Sequence, residues 1–446
     1  MRRVPVILLI YFTFTSAIGC QQEPAKSPVP AQKTPRAVSV QLTALVIDDP
    51  PLAAGLKLLR GEWAQRSGGQ LDLQEWTVEE LLAATEIPAD IIIYPSRHVG
   101  TLVDRDWLRP LRNSVLRNTD LAIDDILPLV RNATHRYGNQ IYGLSLGEPP
   151  LLLAIRLDRS LDEPLNAVLP VSWETATLGP HTENSALEHP LAAELLARGI
   201  AFAQDRSQSA DVFEVDSMQP RIVSPPFIRA LEQMLENNRQ AASRPDQLLS
   251  LSWPAATLPA DSKNVASKPT VFAPLPRAGQ TYDPLREIWE DNDVKQSLVC
   301  LGFAGRSASV TRTTRNSASA FKLLTWMISE SIATQLSPRS AATIWSRNSQ
   351  VAKADKWLAG IEVGDDTAAV VTRQLSSDRY YLLPRIPGID VYLQLLDDAV
   401  SAAISDGLPA ERTLGKVAEQ WNALTDRYDR NRQRVAYRKH LGISEN

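Results

Sequence analysis

The N-terminal part of the chain predicts an α/β fold, because stretches typical of strands alternate with stretches typical of helices. Val38 to Ile47 is rich in β-branched residues, and Leu52 to Arg66 carries apolar residues at helical spacing. Leu71 to Trp76 alternates as a second strand, and Asp90 to Ser96 contains the continuous apolar run of a strand covered on both faces. Val99 to Trp107 suits another helix. This rhythm predicts right-handed βαβ units and a parallel sheet.

The first residues predict a secretory signal peptide. Arg2 and Arg3 precede an apolar stretch from Val4 to Phe14, and small residues lead to Cys20. The stretch resembles a bacterial lipobox, which implies removal of residues 1–19, lipidation of Cys20 and a place on the extracytoplasmic face of a bacterial membrane. An ordinary signal peptide with an incidental cysteine is the alternative.

Residues 20–37 contain four prolines and almost no large apolar side chain, which predicts a disordered tether. The rest of the 446-residue chain has the composition of an ordinary globular protein and length for about two domains. A formal net charge of −4 and the lack of a basic run before the tail argue against nucleic acid as a partner. Once Cys20 is lipidated, Cys300 has no partner and is expected to be a buried thiol. The five histidines show no metal-ligand spacing.

The C-terminal half also contains extended stretches and helices, and its helices are longer. Ile141 to Leu157 and Thr270 to Pro276 are extended stretches. Asp390 looks like the N-cap of an amphipathic helix whose apolar residues run from Tyr392 to Ala403, and a second amphipathic helix follows from Leu414 to Tyr428.

Several stretches, taken in order, resemble the extracytoplasmic solute-binding proteins of ABC importers, the bacterial family 1 that includes sugar binders. Tyr142–Ser145 resembles the family's first crossing between lobes, and Phe272–Pro276 resembles the return crossing. The other matching stretches are 89–96, 102–111, 309–316, 320–326, 385–388 and 421–426.

The resemblance implies a two-lobed periplasmic-binding-protein type II fold with crossing strands. The expected lobes are residues 38–147 with 272–335, and residues 148–271 with 336–446. In that family the lobes close around one solute and present it to an ABC permease in the membrane. We therefore expect a monomer that binds a small polar solute, with carbohydrate the favoured class, and that uses no cofactor or metal and catalyses no reaction.

Polar and aromatic residues at the predicted strand ends and crossings are the candidate ligand contacts. Ser96 and Arg97 follow a buried strand, where parallel sheets place their ligands. Glu148 follows the first crossing, and tryptophan faces suit sugar stacking. The complete set of candidates is Ser96, Arg97, Glu148, Trp253, Arg306 and Trp345.

Two other functions remain open from the sequence. A lipoprotein with the same clamp fold could sense a ligand or act as a scaffold without transporting anything. More remotely, Gly143–Gly147 fits the G-x-S-x-G pattern of a serine hydrolase with Ser145 as nucleophile. That pattern requires a strand, a sharp turn and a helix, whereas the residues that follow look extended.

Overall fold

The computed structural model describes residues 40–156, 170–178, 187–203, 211–241, 248–257, 270–358 and 366–443. The predicted signal peptide, the lipidated Cys20 and the tether lie outside the described residues. Within the described ranges, no helix has both the length and the apolar character needed to cross a membrane.

Short strands and longer helices alternate along the described chain. The strands are β1 (Gln41–Ile47), β2 (Gln70–Trp76), β3 (Ile91–Pro95), β4 (Arg136–Tyr137), β5 (Gln140–Ile141), β6 (Gly143–Gly147), β7 (Leu152–Arg156), β8 (Leu248–Ser252), β9 (Thr270–Ala273), β10 (Gln280–Asp283), β11 (Ile288–Asp291), β12 (Val299–Leu301), β13 (Arg306–Val310) and β14 (Tyr380–Leu382). The α-helices are α1 (Pro50–Ser67), α2 (Val78–Ala83), α3 (Val99–Asp104), α4 (Asn113–Leu116), α5 (Pro190–Ala203), α6 (Pro225–Ala241), α7 (Ser317–Ile328), α8 (Glu330–Leu336), α9 (Asn348–Val351), α10 (Asp355–Leu358), α11 (Thr367–Gln374), α12 (Ile389–Asp406), α13 (Ala410–Arg427) and α14 (Arg430–His440).

A five-stranded sheet with the order β2-β1-β3-β13-β6 forms the first half of the fold. β1 pairs in parallel with β2 along its whole length and also with β3, as the sequence predicts. β13 runs antiparallel to both β3 and β6, so the sheet is mixed, and the sequence did not predict this antiparallel strand. Local periodicity identifies a strand but carries no information on the direction in which it pairs.

Helix α1 shows how local sequence sets an element of this sheet. The Asp49 carboxylate caps the helix by accepting the Leu52 N–H at 3.1 Å, and two prolines occupy the first turn, where a missing N–H costs nothing. Gly68 ends the helix with a left-handed φ of 69°. The helix therefore begins two residues before the predicted Leu52, and it buries Leu52, Leu56 and Trp63 against the sheet.

The second half of the fold is built on the antiparallel sheet β8-β7-β9. The parallel pair β12–β14 lies beside it, joined by a bridge between Leu151 and Cys300. One apolar core packs this half against α5, α6, α12 and α13. Cys300 is a free buried thiol, as predicted, and burial raises its pKa to about 12.

Two short connections carry the chain between the two halves of the fold, and the chain passes between them again from α8 to β14. Glu148–Leu151 links β6 of the first sheet to β7 of the second, immediately after the predicted crossing at Tyr142–Ser145. Gly302–Gly305 links β12 back to β13 of the first sheet. The predicted return crossing at Phe272–Pro276 is wrong in position, because Phe272 belongs to β9 of the second sheet. Apolar strands of either sheet look alike in sequence.

The predicted C-terminal amphipathic helices are α12 and α13. Phe213 packs its ring against Tyr392 of α12 and Trp421 of α13, at centroid distances of 5.5 and 5.1 Å. The prediction that Asp390 caps α12 is wrong, since the helix begins at Ile389 after Gly388, whose φ is 78°. Asp390 therefore sits in the first helical turn, and its carboxylate is available for another partner.

We predict that Gly199→Ala destabilises the protein, because a Cβ at this position in α5 would overlap the Phe227 ring of α6. A loss of about 1–3 kcal/mol is expected from such overpacking. Gly61→Ala in α1 is the matched control, since a Cβ there meets nothing within 4 Å. Gly61→Ala should raise the free energy of unfolding by about 0.5–1 kcal/mol. Urea unfolding of both variants measures the difference, and a shift of the same sign in both contradicts the packing.

Candidate functional site

Polar side chains follow three strands of the first sheet, β1, β3 and β6, at one edge of the sheet. Asp49 lies just beyond β1, Ser96 just beyond β3 and Glu148 just beyond β6. Arg306 begins β13, whose antiparallel direction brings its first residue opposite Pro95 at this same edge. Ligands of α/β sheets bind beyond the carboxyl ends of parallel strands. We call this buried group, together with Arg97 and Asp390, the edge cluster.

An ion pair between Asp49 and Arg306 forms one side of the edge cluster. Arg306 Nε lies 2.9 Å from Asp49 Oδ2, and its Nη2 donates to the Asp48 carbonyl at 3.0 Å. The Ser340 hydroxyl donates to the same Asp49 oxygen. Asp49 thus caps α1 with one oxygen and holds Arg306 and Ser340 with the other. Burial lowers the pKa of Arg306, and Asp49 opposes that effect.

Arg97 forms the opposite side and joins the two halves of the fold. Its Nε donates to Asp390 Oδ1 in α12 at 2.6 Å, and its Nη2 donates to Glu188 just before α5. Burial alone would raise the pKa of Asp390, but its charged and hydrogen-bonding neighbours, of which Arg97 contributes most, together lower it. His98 Nε2 lies 3.3 Å from Asp390 Oδ2, and burial lowers the pKa of His98 to about 4. His98 is therefore neutral near pH 7.

Glu148 lies at the centre of the edge cluster and is fully buried. Its Oε1 accepts hydrogen bonds from the Ser96 hydroxyl at 3.0 Å and from the Gly302 N–H at 3.2 Å. Its Oε2 has no partner among the described residues. Burial raises the pKa of Glu148 to about 8, although Ser96 and Arg385 act to lower it. The side chain is therefore mainly a neutral acid at pH 7, able to donate one hydrogen bond.

The two candidate tryptophans lie in different places. The indole N–H of Trp253 donates to the Ala341 carbonyl at 2.6 Å, and the neighbouring Ser340 contacts Asp49, so Trp253 borders the edge cluster. Trp345 is fully buried in a separate apolar core, where its ring meets Trp357 edge-on at 6.0 Å. The structure brings together Ser96, Arg97, Glu148 and Arg306, with Trp253 at their border, and places Trp345 elsewhere.

Sequence reasoning missed three residues of this site. Asp49 was not selected, although it lies directly after a strand, a position that the sequence shows. Asp390 was assigned to a helix cap, and Ser340 lies in a segment without a motif. Asp390 is 293 residues from Arg97, and no local pattern in a single sequence connects residues so far apart.

The hydrolase prediction for Ser145 is wrong on geometry. Gly143–Gly147 is a strand throughout, and the next elements are an extended connection and strand β7, so the required turn and helix do not follow Ser145. The Ser145 hydroxyl accepts the Gly147 N–H at 3.0 Å, and its own N–H donates to His135 Nε2. Within the described part of the chain, no group of three or more His, Cys, Asp or Glu residues is arranged to hold a metal ion.

Comparison with known proteins shows likeness in structure but not in sequence. No protein-family model matches the chain, and no curated protein matches it. An ABC transporter solute-binding protein from Thermotoga lettingae, bound with α-D-tagatose, has a TM-score of 0.62 and 16% identity, over 86% of this chain and 99% of that one.

Two further solved structures are similar to this chain to the same degree. A solute-binding protein from Agrobacterium radiobacter in complex with ribitol gives a TM-score of 0.61 at 16% identity, over 86% of this chain and 98% of that one. The sugar-binding protein MalE from Xanthomonas citri gives 0.60 at 15% identity, over 91% and 100%. The chain therefore has the two-lobed α/β fold of these binding proteins, and the predicted periplasmic-binding-protein type II fold is confirmed.

We predict that Glu148→Gln removes a pH-dependent loss of stability. The carboxyl pKa is about 8 in the folded state against the ordinary value of 4.5, so between these values the folded protein holds a proton that the unfolded chain has lost. Stability then falls as pH rises, by up to about 1.4 kcal/mol per pH unit, and the loss is complete above the folded pKa. Urea unfolding should show the variant gaining on the natural protein from pH 5 to pH 8.

Glu62→Gln, at an exposed position of α1, is the control and should follow the natural protein at every pH. Contributions from His98 and His135 are common to all three proteins and cancel in the differences. A constant difference between Glu148→Gln and the natural protein from pH 5 to pH 8 contradicts a neutral Glu148.

Proposed function

We propose that this protein is an extracytoplasmic solute-binding protein that captures a sugar or polyol and delivers it to an ABC permease. The edge cluster carries the proposal: polar side chains follow three strands of one sheet and meet Asp390 of α12 from the other half. The solved structures of the same fold include proteins in complex with ribitol and bound with α-D-tagatose. We further propose that Cys20 is lipidated and anchors the protein, as a monomer, to the membrane.

The chemistry of the edge cluster favours a polyhydroxylated ligand. A sugar hydroxyl donates one hydrogen bond and accepts others, so it needs donors and acceptors side by side. Arg97 and Arg306 supply donors, Asp49 and Asp390 supply acceptors, and the neutral Glu148 can do either. Each arginine faces an aspartate, and Arg97 also pairs with Glu188, so neither arginine is left without a carboxylate. A site without an unpaired cation suits a neutral solute better than an anion.

The two short connections between the halves of the fold are the proposed hinge. We propose that each sheet with its helices forms one lobe and that Glu148–Leu151 and Gly302–Gly305 bend when the lobes open. Gly302 and Gly305 have φ values of 91° and 111°, a region that favours glycine. Opening would separate Arg97 from Asp390 and Glu188 and expose the polar groups to solute. Closure needs no bond to be made or broken, which is consistent with a binding protein rather than an enzyme.

We predict that one class of sugar or polyol raises the melting temperature of the purified protein. A ligand present at 100 times its Kd adds about 2.7 kcal/mol to the free energy of unfolding. The screen compares monosaccharides, oligosaccharides and polyols with amino acids and small peptides. A folded protein that none of the sugars or polyols stabilises contradicts the proposed ligand class.

Asp390→Asn tests whether that ligand binds at the edge cluster. Loss of a charged acceptor should weaken binding by about 10- to 100-fold, the effect of a hydrogen bond to a charged group. Asp398→Asn is the matched control, because Asp398 is an exposed residue of the same helix α12. Calorimetric titration measures both affinities. Equal affinities in the two variants place the ligand elsewhere.

A second candidate function, a clamp that senses or scaffolds without transport, is favoured by one observation. Arg97 has two carboxylate partners from the other half of the fold, and Arg306 has Asp49, so both arginines of the cluster already pair with carboxylates of the protein. Small-angle scattering separates the candidates. An importer should be more extended without ligand than with it, whereas a self-locked clamp should open only when Arg97→Gln breaks the ion pairs.

A further inference from the structure

The carboxyl group of Glu148 contacts both short connections between the halves of the fold. Glu148 begins the first connection, and its side chain lies against the second, Gly302–Gly305. Its Oε1 accepts the Gly302 N–H at 3.2 Å, and a Cβ at Gly305 would overlap its Oε2. Both oxygens therefore face the second connection. A movement of one connection relative to the other must change the surroundings of this carboxyl group.

Glu148 has no cation at hydrogen-bond distance among the described residues. Arg306 and Arg385 act on it only from a distance, and no other charged group of the described chain has a marked effect on it. Arg306 is paired with Asp49, and Arg385 donates to the Thr134 carbonyl. An ionised carboxylate here would keep one oxygen without a hydrogen bond and would bury an unpaired charge. The position therefore favours the neutral acid.

The two halves of the fold contact each other across the edge cluster in this structure. Arg97, from the first half, reaches both Asp390 and Glu188 of the other half. Glu148 is fully buried in this arrangement. The structure therefore corresponds to the closed form of the proposed clamp, and its carboxyl group is shut off from water in that form.

We propose that Glu148 couples closure of the clamp to uptake of one proton from solvent: its carboxyl group is neutral in the closed form and ionised in the open form. This inference rests on the proposed function and concerns the regulation of the same site. Bending at the two connections moves Gly302 and Gly305 relative to Glu148 and admits water to the carboxyl group. Water stabilises the ionised form, so alkali favours opening. Capture of a solute in the closed clamp then weakens as pH rises.

The pH range of the effect follows from the two protonation states. Burial raises the pKa of Glu148 to about 8 in the closed form, against the ordinary value of 4.5 for a solvated carboxyl group. Between these values only the closed form holds the proton, so the opening equilibrium increases with pH, and above pH 8 the increase ends. His98 of the edge cluster opposes this effect only below its ordinary pKa of 6.5. From pH 6.5 to pH 8 the opening equilibrium should increase about tenfold.

Hydrogen exchange of the purified protein without solute tests the proposal. Mass spectrometry follows the peptide that contains Gly302, whose N–H donates to Glu148, and peptides of the buried helix α5, which report global unfolding. After correction for the intrinsic pH dependence of exchange, protection at Gly302 should fall about tenfold from pH 6.5 to pH 8 and should stay below that of α5. Constant protection at Gly302 overturns the proposal. Protection equal to that of α5 at every pH also overturns it, because the connections would then open only on unfolding.

Glu148→Gln removes the ionisable group and keeps the shape of the side chain, and its amide oxygen can still accept the Gly302 N–H. Protection at Gly302 in this variant should stay constant from pH 6.5 to pH 8. Glu62→Gln, at an exposed position of α1, is the control and should show the same fall as the natural protein. A fall in Glu148→Gln as steep as in the natural protein overturns the assignment to Glu148. If this variant does not fold, the pH profile of the natural protein decides.

The absence of solute from this experiment separates the proton coupling from the proposed function. A sugar or polyol that binds to a protein with a pH-independent hinge contradicts the coupling and leaves the proposed function intact. A pH-dependent hinge in a protein that no sugar or polyol stabilises supports the coupling and contradicts the proposed ligand class.

Discussion

The rest of the site depends on one constraint, the close approach of the two short connections Glu148–Leu151 and Gly302–Gly305. Gly302 donates its N–H to Glu148 Oε1, and a Cβ at Gly305 would overlap the other oxygen of that carboxyl group. Ser96 completes the contact from the end of β3. Because Arg97 follows Ser96 and Arg306 follows Gly305, this packing arrangement also fixes the backbone positions of both arginines. The candidate site thus includes residues of the proposed hinge.

Local sequence patterns were sufficient to predict the elements of the first sheet. Helix α1 is an example, since its apolar stripe, its aspartate cap and its terminal glycine all lie within about twenty residues. The same holds for the buried run of β3 and for the amphipathic α12 and α13, whose apolar faces lie in the core as predicted. Their burial follows from periodicity, because an apolar face has to be buried whatever covers it.

The direction of β13 and the position of the return crossing could not be predicted in this way. Both depend on which sheet a strand joins, and neither the apolar sequence of β9 nor the small and polar sequence of β13 carries that information. The residues of the candidate site also divide into those that local sequence predicts and those that it does not. Ser96, Arg97 and Glu148 could be selected because each follows a strand, whereas Asp390 and Ser340 reach the edge cluster only through tertiary packing. Trp345 was selected as an aromatic residue near a crossing, and a core tryptophan has the same local sequence features.

Burial of charge determines the chemistry of the edge cluster. The fold pairs each arginine with an aspartate, and the remaining acid, Glu148, can become neutral by taking up a proton. A carboxyl group can avoid the cost of desolvation in this way because its ordinary pKa lies only a few units below neutrality. An arginine cannot, since it keeps its proton in proteins. The buried acid of the cluster can therefore lie without a charged partner, whereas Arg97 and Arg306 each need a carboxylate beside them.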